Sequence, residues 1–404
     1  MENASLRGDS QLHGPSLESA TRSSIVSNAF SGFTEGRGLS LTAIVSAVFF
    51  TGESVVANSG LVFDNDGIVG FANVDDLPIG TAVIDAGGCR VCPGLIDLQV
   101  NGSGAYNCST FADTRDALTL GAELASTGTT RWAPTVLSRP MDRSLAIAEL
   151  VGPIADDAGI IALHIEGPWL NPEKAGAHTL SRLCAPTASD LVVVELIAET
   201  LPTIVTLAPE CVPNALLTQM TRNPRVRVML AHSTADFDAT ARFLDGGGAG
   251  ITHVFNTMNG VLGRMPGPMP ALIGRRGKYA SVIADGVHVH AATLAMLKRS
   301  LDPDALFLVS DLIWNAFREE SKHDRVLAGS NLSLCQMVAF CVTAVGISID
   351  EALRMATLYP ARFLGVGDRF GMLAPGYAAD MIGITDEFEL RFAIRNGQLI
   401  WDAR

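Results

Sequence analysis

HIEGPWLNPEKAGAH, running from His164 to His178, decides the fold. The residues before it, Ile160-Ile161-Ala162-Leu163, form an uninterrupted apolar run. Such a run reads as a parallel strand buried on both faces, over about 160–166, with Glu166 delivered at its C-terminal end. Gly167 and Pro168 then stop the strand.

Three later segments repeat the arrangement: VRVMLAHS ending on His232, GAGITHVFN carrying His253, and ALFLVSD ending on Asp311. In each, an apolar run delivers one metal-capable or acid/base residue to a turn. A (β/α)₈ barrel places its chemistry at the C-terminal ends of several different strands. The expected fold is therefore α/β, a TIM-type barrel, with strands near 94–100, 129–135, 160–166, 203–209, 226–232, 249–254, 279–285 and 305–311.

Helical patterns fall between the strands, among them 116–127 and 191–201. In ISIDEALRMATLYPARFLG, Ser348 stands three residues before Glu351, the spacing of a capping box, and Pro360 is expected to bend or end that helix. From 41 to 92, short β-rich runs alternate with turn signals such as Asp64-Asn65-Asp66-Gly67, and the tail returns to strands across an Asn396-Gly397 hairpin turn. The expected organisation is a small β-sandwich built from 41–92 and 365–404, beside a barrel over 93–364. Residues 1–40 read as a disordered extension, rich in Ser and Gly; Glu2, Asp9, Glu18 and Glu35 argue against a transit peptide.

With 404 residues and 48% hydrophobic content, the chain can bury one large core and a smaller companion. No apolar run reaches the roughly 18 residues that span a bilayer, so no membrane partner is expected. A formal charge of −13 argues against a nucleic-acid surface, which needs clustered Lys and Arg. The cysteine count is odd, 7, and scattered, as for reduced thiols in the cytoplasm; Cys89 and Cys92 read as core packing.

Glu166, His232 and His253 offer one carboxylate and two imidazoles, a set that leaves a position open for water on a catalytic divalent ion. A lone histidine at a strand end is more often a hydrogen-bonded structural residue; three candidate ligands at strand ends of one barrel reverse that reading. A bound ion lowers the pKa of water to about 7, and Asp311 is the natural base beside it. His178, in the loop after Glu166, is a candidate to polarise a carbonyl, although taken alone it reads first as an exposed loop histidine. Asn256, three residues past His253, can present its amide to an anion, and Arg264 and His288 are cationic candidates for a phosphate.

Taken together, PGLIDLQVNG, GTTRWAPT, HIEGPWLNPEKAGAH, LAPE, AHSTA, THVFNTMNG, ADGVHV, LVSD, LAGS, ATLYPARFLG and GYAADMIGI resemble the N-acetylglucosamine-6-phosphate deacetylase family of metal-dependent amidohydrolases, over about 45–404. The resemblance implies a barrel with a small β-sandwich from both chain ends, and removal of acetate from N-acetyl-D-glucosamine 6-phosphate. It implies Glu166, His232 and His253 as metal ligands, Asp311 as general base and then acid, and His178 as the carbonyl-polarising residue. Asn256 and Thr257 would hold the sugar phosphate, with Arg264 and His288 reaching across from a second subunit of a homodimer. Where many relatives carry His-x-His for a second metal, this chain has Gln99-Val100-Asn101. One ion per subunit is expected, Zn²⁺ first, with Fe²⁺ or another divalent ion as the alternative. Gln99 joins the substrate-binding set.

One segment departs from the pattern. After Asp311 the chain runs LIWNAFREESKHDRV, shorter than the resemblance implies by roughly twenty residues, a large loss from a functional loop of a compact barrel. Trp314 and Asn315 are the candidates to replace part of it. The departure keeps two alternatives open: an amidohydrolase for another N-acyl sugar or a cyclic amide, and a catalytically silent sugar-phosphate binder.

Overall fold

The computed structural model describes residues 40–313 and 328–404. The expectations for 1–39 and for Trp314, Asn315 and the segment around them lie outside the described residues.

Eight parallel strands form the centre: β1 (Leu95–Ser103), β2 (Thr129–Leu137), β3 (Leu163–Glu166), β4 (Thr203–Leu207), β5 (Val226–Leu230), β6 (Gly250–Ile251), β7 (Tyr279–Val282) and β8 (Leu306–Leu308). Each pairs with the next in parallel. Beyond β8, Leu312–Ile313 pairs with β1 through Leu312 and Val100, so the array closes on itself. This is a TIM-type barrel, and all eight strands coincide with apolar runs of the sequence. Strand β3 starts at Leu163 rather than Ile160, which makes only an isolated bridge to Trp132.

Helices pack outside the strands, and their caps follow from sequence. Asp113 caps Thr114–Ala125 by accepting from Arg115 N–H, and Thr187 forms a reciprocal box with Asp190 at the start of Ala188–Thr200. Ser348 accepts from Glu351 N–H as expected, whereas the Glu351 carboxylate turns to Lys298, Arg354 and Tyr359. Pro360 does not end this helix. The chain breaks at Thr357 (φ −133°, ψ −78°), and Pro360 sits inside the next helix, Leu358–Leu364. In a first turn the proline's missing N–H is needed by no carbonyl, so the break falls upstream of it.

The chain ends form two further sheets. One orders Gly67–Ala72, Gly60–Asp64, Thr42–Val45 and Ala82–Asp85; the other orders Gln398–Asp402, Leu390–Arg395, Met381–Ile384, Arg90–Pro93, Val48–Phe50 and Val55–Val56. Ile44, Leu61 and Phe63 of the first share a hydrophobic cluster with Phe49, Met381 and Phe392 of the second. Asn396 (φ 50°) and Gly397 (φ 73°) form the hairpin turn between the last two strands, the left-handed pair such a turn requires. Arg131 on β2, 1% exposed, ties the barrel to this region by bonding Asp380, Asp156 and Asn396. Cys89 and Cys92 are buried and all 7 cysteines are free thiols. No helix among the described residues is long and apolar enough to cross a membrane.

Candidate active site

Glu166 is the last residue of β3, His232 follows β5 by two residues, His253 follows β6 by two, and Asp311 follows β8 by three. His232 (φ 47°), His253 (φ 31°) and Asp311 (φ 49°) all adopt left-handed backbone. Non-glycine residues hold that conformation only where the surroundings fix it, a cost of about 1–3 kcal/mol each that is typical of functional sites. The turn re-aims each side chain over the mouth of the barrel.

The ligand atoms of Glu166, His232 and His253 lie within 4.8 Å of one another, and all three residues are buried. Both histidine Nε2 atoms face the same carboxylate oxygen, Glu166 Oε1, at 3.2 and 3.0 Å. His232 Nδ1 faces the backbone acceptor Lys174 O at 2.9 Å, a contact that orients the ring with Nε2 toward Glu166. His253 Nδ1 is buried with no hydrogen-bond partner among the described residues. Burial pushes the Glu166 pKa up, but the hydrogen bonds from His232 and His253 outweigh it and hold the carboxyl well below its usual range. An ionised carboxylate with two imidazole nitrogens converging on it fits a divalent cation. Gln99 donates to the other oxygen, Oε2, at 3.3 Å.

Beneath this cluster His164 donates from Nδ1 to Leu98 O and accepts at Nε2 from Thr206, which also bonds Thr252. Burial pushes His164 down to about 4, so it is a neutral pillar of the barrel interior.

Asp311 is raised above the usual carboxylate range, first by burial and then by the Glu166 charge. Asn101, inward-facing at the position two after Gln99, donates to Asp311 Oδ1 at 2.6 Å. His178 bonds Ser138 Oγ through Nδ1 at 2.8 Å, and its ring stands edge-on to His232 with centroids 4.7 Å apart. Burial, then His232, pushes His178 down to about 3. Gly176 lets the loop come this close. At its φ of +59°, a Cβ would lie 2.9 Å from Thr257 Cγ2 and 3.2 Å from His232 Cε1.

One cleft of about 240 Å³ is lined by Glu166, His178, His232, His253 and Asp311, together with Asn256, Thr257 and His288. His288 thus lines the cleft of its own chain, which corrects the expectation that it reaches across from a partner. It is pinned there by Asp285, whose Oδ2 accepts from Nδ1 at 2.7 Å. Asn256 Nδ2 donates to His253 O at 3.0 Å, and Thr257 Oγ1 is buried without a partner among the described residues. Arg264 is exposed on its loop and lines no part of this cleft. Sequence reasoning overlooked Asn101 as a site residue, Ser138 and His164. For Asn101 a signal existed, since alternate residues of β1 share the inward face.

A model described as "Amidohydrolase family" matches residues 90–400. N-acetylglucosamine-6-phosphate deacetylase of Bos taurus is 30% identical over 355 residues, 78% of this chain and 85% of that one. N-acetylgalactosamine-6-phosphate deacetylase of Escherichia coli O157:H7 is 28% identical over 356 residues, 83% of this chain and 93% of that one. The crystal structure of N-acetylglucosamine-6-phosphate deacetylase from Pasteurella multocida superposes with a TM-score of 0.84 at 26% identity, covering 89% of this chain and 99% of that one. With most of its length matched by the family model, and its carboxylate and imidazoles at the mouth of a TIM-type barrel, the chain belongs to the amidohydrolase family.

Proposed function

We propose that this protein hydrolyses the acetamide of N-acetyl-D-glucosamine 6-phosphate, giving D-glucosamine 6-phosphate and acetate. The observation that carries the reading is the cleft itself: Asp311, His178 and the Glu166, His232 and His253 cluster open into one space. The names of the relatives supply the substrate.

Glu166, His232 and His253 would hold one divalent ion, Zn²⁺ by donor type, and when bound it supplies Lewis acidity toward water and the acyl oxygen. Asp311, held by Asn101, takes a proton from the attacking water and passes it to the amine nitrogen as the C–N bond breaks. Ser138, donating its hydroxyl hydrogen to His178 Nδ1, leaves the proton on the other ring nitrogen, ready for the acyl oxygen as charge develops there. Neutral His178 can make that donation without adding a second cation beside the metal ligands. Asn256, Thr257 and His288 bind the phosphorylated sugar from the far wall, with Arg264 contributed by the second subunit of a homodimer. Gln99 orients Glu166 and borders the acyl group. The two end sheets form one small β-sandwich domain, 41–92 with 365–404, carried by the barrel of 93–364 in a cytoplasmic enzyme.

Acetate release by the metal-loaded protein, measured on N-acetylglucosamine 6-phosphate beside the unphosphorylated sugar, tests the reading. Release confined to the phosphorylated sugar supports it; equal rates on both, or none on either, contradict it. The Escherichia coli relative favours a second reading, the C4 epimer N-acetylgalactosamine 6-phosphate. A higher kcat/KM on that sugar in the same assay would select it.

A further inference from the structure

Every barrel strand except β4 places a residue in the active-site cleft, near its end or just beyond it; among the described residues β4 and the turn after it place none. That turn carries the LAPE motif, and its carboxylate, Glu210, bonds neighbouring loops along the rim instead. Ser233 Oγ donates to Glu210 Oε2 at 2.7 Å. Thr234 N–H, Thr234 Oγ1 and Asn171 Nδ2 donate to Oε1 at 2.7, 3.1 and 3.0 Å. The Asn171 amide also donates to Thr234 Oγ1 at 2.8 Å, so its two hydrogens and the threonine hydroxyl are all matched. An ionised carboxylate has acceptor sites for all of these donors. Glu210 is itself exposed, and water would satisfy it equally well. The consequence of the bonds therefore lies in the groups they hold.

Those groups flank one residue, His232 of the ligand cluster. Ser233 and Thr234 follow it directly in the chain. Asn171, from the loop after β3, gives its backbone N–H to His232 O at 2.9 Å. The Asn171 side chain also caps the short turn Pro172–Lys174, and the last carbonyl of that turn, Lys174 O, faces His232 Nδ1 at 2.9 Å. His232 is thus held at its carbonyl, its ring and its C-terminal neighbours by segments that meet on Glu210. Its φ of 47° is a conformation that a non-glycine residue keeps only where its surroundings over-determine it. The Glu210 bonds supply part of that constraint. Groups that orient a metal ligand in this way typically change metal affinity about 10- to 100-fold when removed.

We infer that Glu210 is a positioning residue of the metal centre: its carboxylate clamps the turn of His232, through Ser233 and Thr234 on one side and Asn171 on the other, so that Nε2 is preset for the divalent ion. The inference rests on the reading of Glu166, His232 and His253 as the ligand set, and is independent of which sugar the cleft accepts.

The test uses the full metal-loaded chain and its Glu210→Ala, Glu210→Gln and Ser233→Ala variants, with thermal melting as the check of folding. Zn²⁺ affinity is measured against a competing chelator, and the Co²⁺-exchanged proteins give a d–d absorption spectrum that reports ligand geometry. The expected result for Glu210→Ala is Zn²⁺ affinity at least about tenfold lower and an altered Co²⁺ spectrum. Glu210→Gln keeps one acceptor oxygen for Thr234 N–H and should recover part of both. If Glu210→Ala does not fold, Glu210→Gln and Ser233→Ala carry the test, each with affinity at least about threefold lower than wild type. Wild-type affinity and spectrum in the folded variants overturn the inference. So does an equal loss in Glu210→Gln and Glu210→Ala with the spectrum unchanged, which would assign the effect to charge rather than position. A wild-type chain that binds neither ion removes the ligand set and this inference with it. A wild-type chain that binds Zn²⁺ but releases no acetate from N-acetylglucosamine 6-phosphate contradicts the deacetylase reading alone, and the affinity comparison still decides on Glu210.

Discussion

Asn101 and Asp311, 210 positions apart in the chain, meet through a 2.6 Å hydrogen bond from the Asn101 side-chain amide to Asp311 Oδ1. The bond crosses the seam where the barrel closes, next to the pairing of Leu312 with Val100. It fixes the carboxylate that the proposed mechanism uses for proton transfer. Asn101→Ala removes a charge-assisted bond of about 1.5–3 kcal/mol, so kcat should fall about 10- to 100-fold with KM little changed. Steady-state kinetics check this, and a variant with unaltered kcat would separate Asp311's position from Asn101.

Ser138 plays the corresponding part for His178, at 2.8 Å. Ser138→Ala should lower kcat about 2- to 10-fold, as expected for one neutral hydrogen bond, and leave the bound-metal content unchanged. Metal analysis beside the kinetics distinguishes this from damage to the ligand cluster.

Much of this site is legible in the sequence, and the physical reason is the barrel. A buried parallel strand must be an apolar run, and the metal-capable or acidic residue at its end or within three residues beyond it faces the cleft, so Glu166, His232, His253 and Asp311 stand out one by one. What sequence does not display is which of them meet. The Asn101 to Asp311 bond depends on ring closure. His288 lies in its own chain's cleft because Asp285 turns it there, which local sequence does not announce. The break at Thr357 rather than Pro360 likewise reflects packing of two short helices, since a proline is harmless in a helix's first turn.

Asp97, fully inside β1, has its carboxyl raised to about 7 by burial, despite accepting from the backbone N–H groups of Gln99 and Ser310. The folded chain therefore keeps a proton that the unfolded chain, at 3.8, has already released. This group's contribution to stability is full below pH 4 and falls as pH rises toward about 7, because the folded state binds more protons in that window. Asp97→Asn should flatten that part of the profile. Urea unfolding at both ends of the window should show the wild type losing up to about 3 kcal/mol relative to the variant. Parallel profiles would mean that Asp97 is ionised in the folded protein.

Arg131 and Asp380, 1% and 6% exposed, form the buried pair that joins β2 to the C-terminal strands. Arg131→Met leaves Asp380 buried without its cation and should cost about 3–5 kcal/mol in urea unfolding. Replacing both residues by apolar ones of similar size should recover most of the loss. Failure of the double variant to do so would point to the bonds with Asp156 and Asn396 instead.

The most direct test of the mechanism is Asp311→Asn, assayed for bound metal and for acetate release from N-acetylglucosamine 6-phosphate in the same preparation. Asp311 lies outside the ligand cluster of Glu166, His232 and His253. The predicted result is metal content equal to wild type with acetate release lost. Acetate release near the wild-type rate would contradict the assignment of Asp311 as the proton-transferring residue.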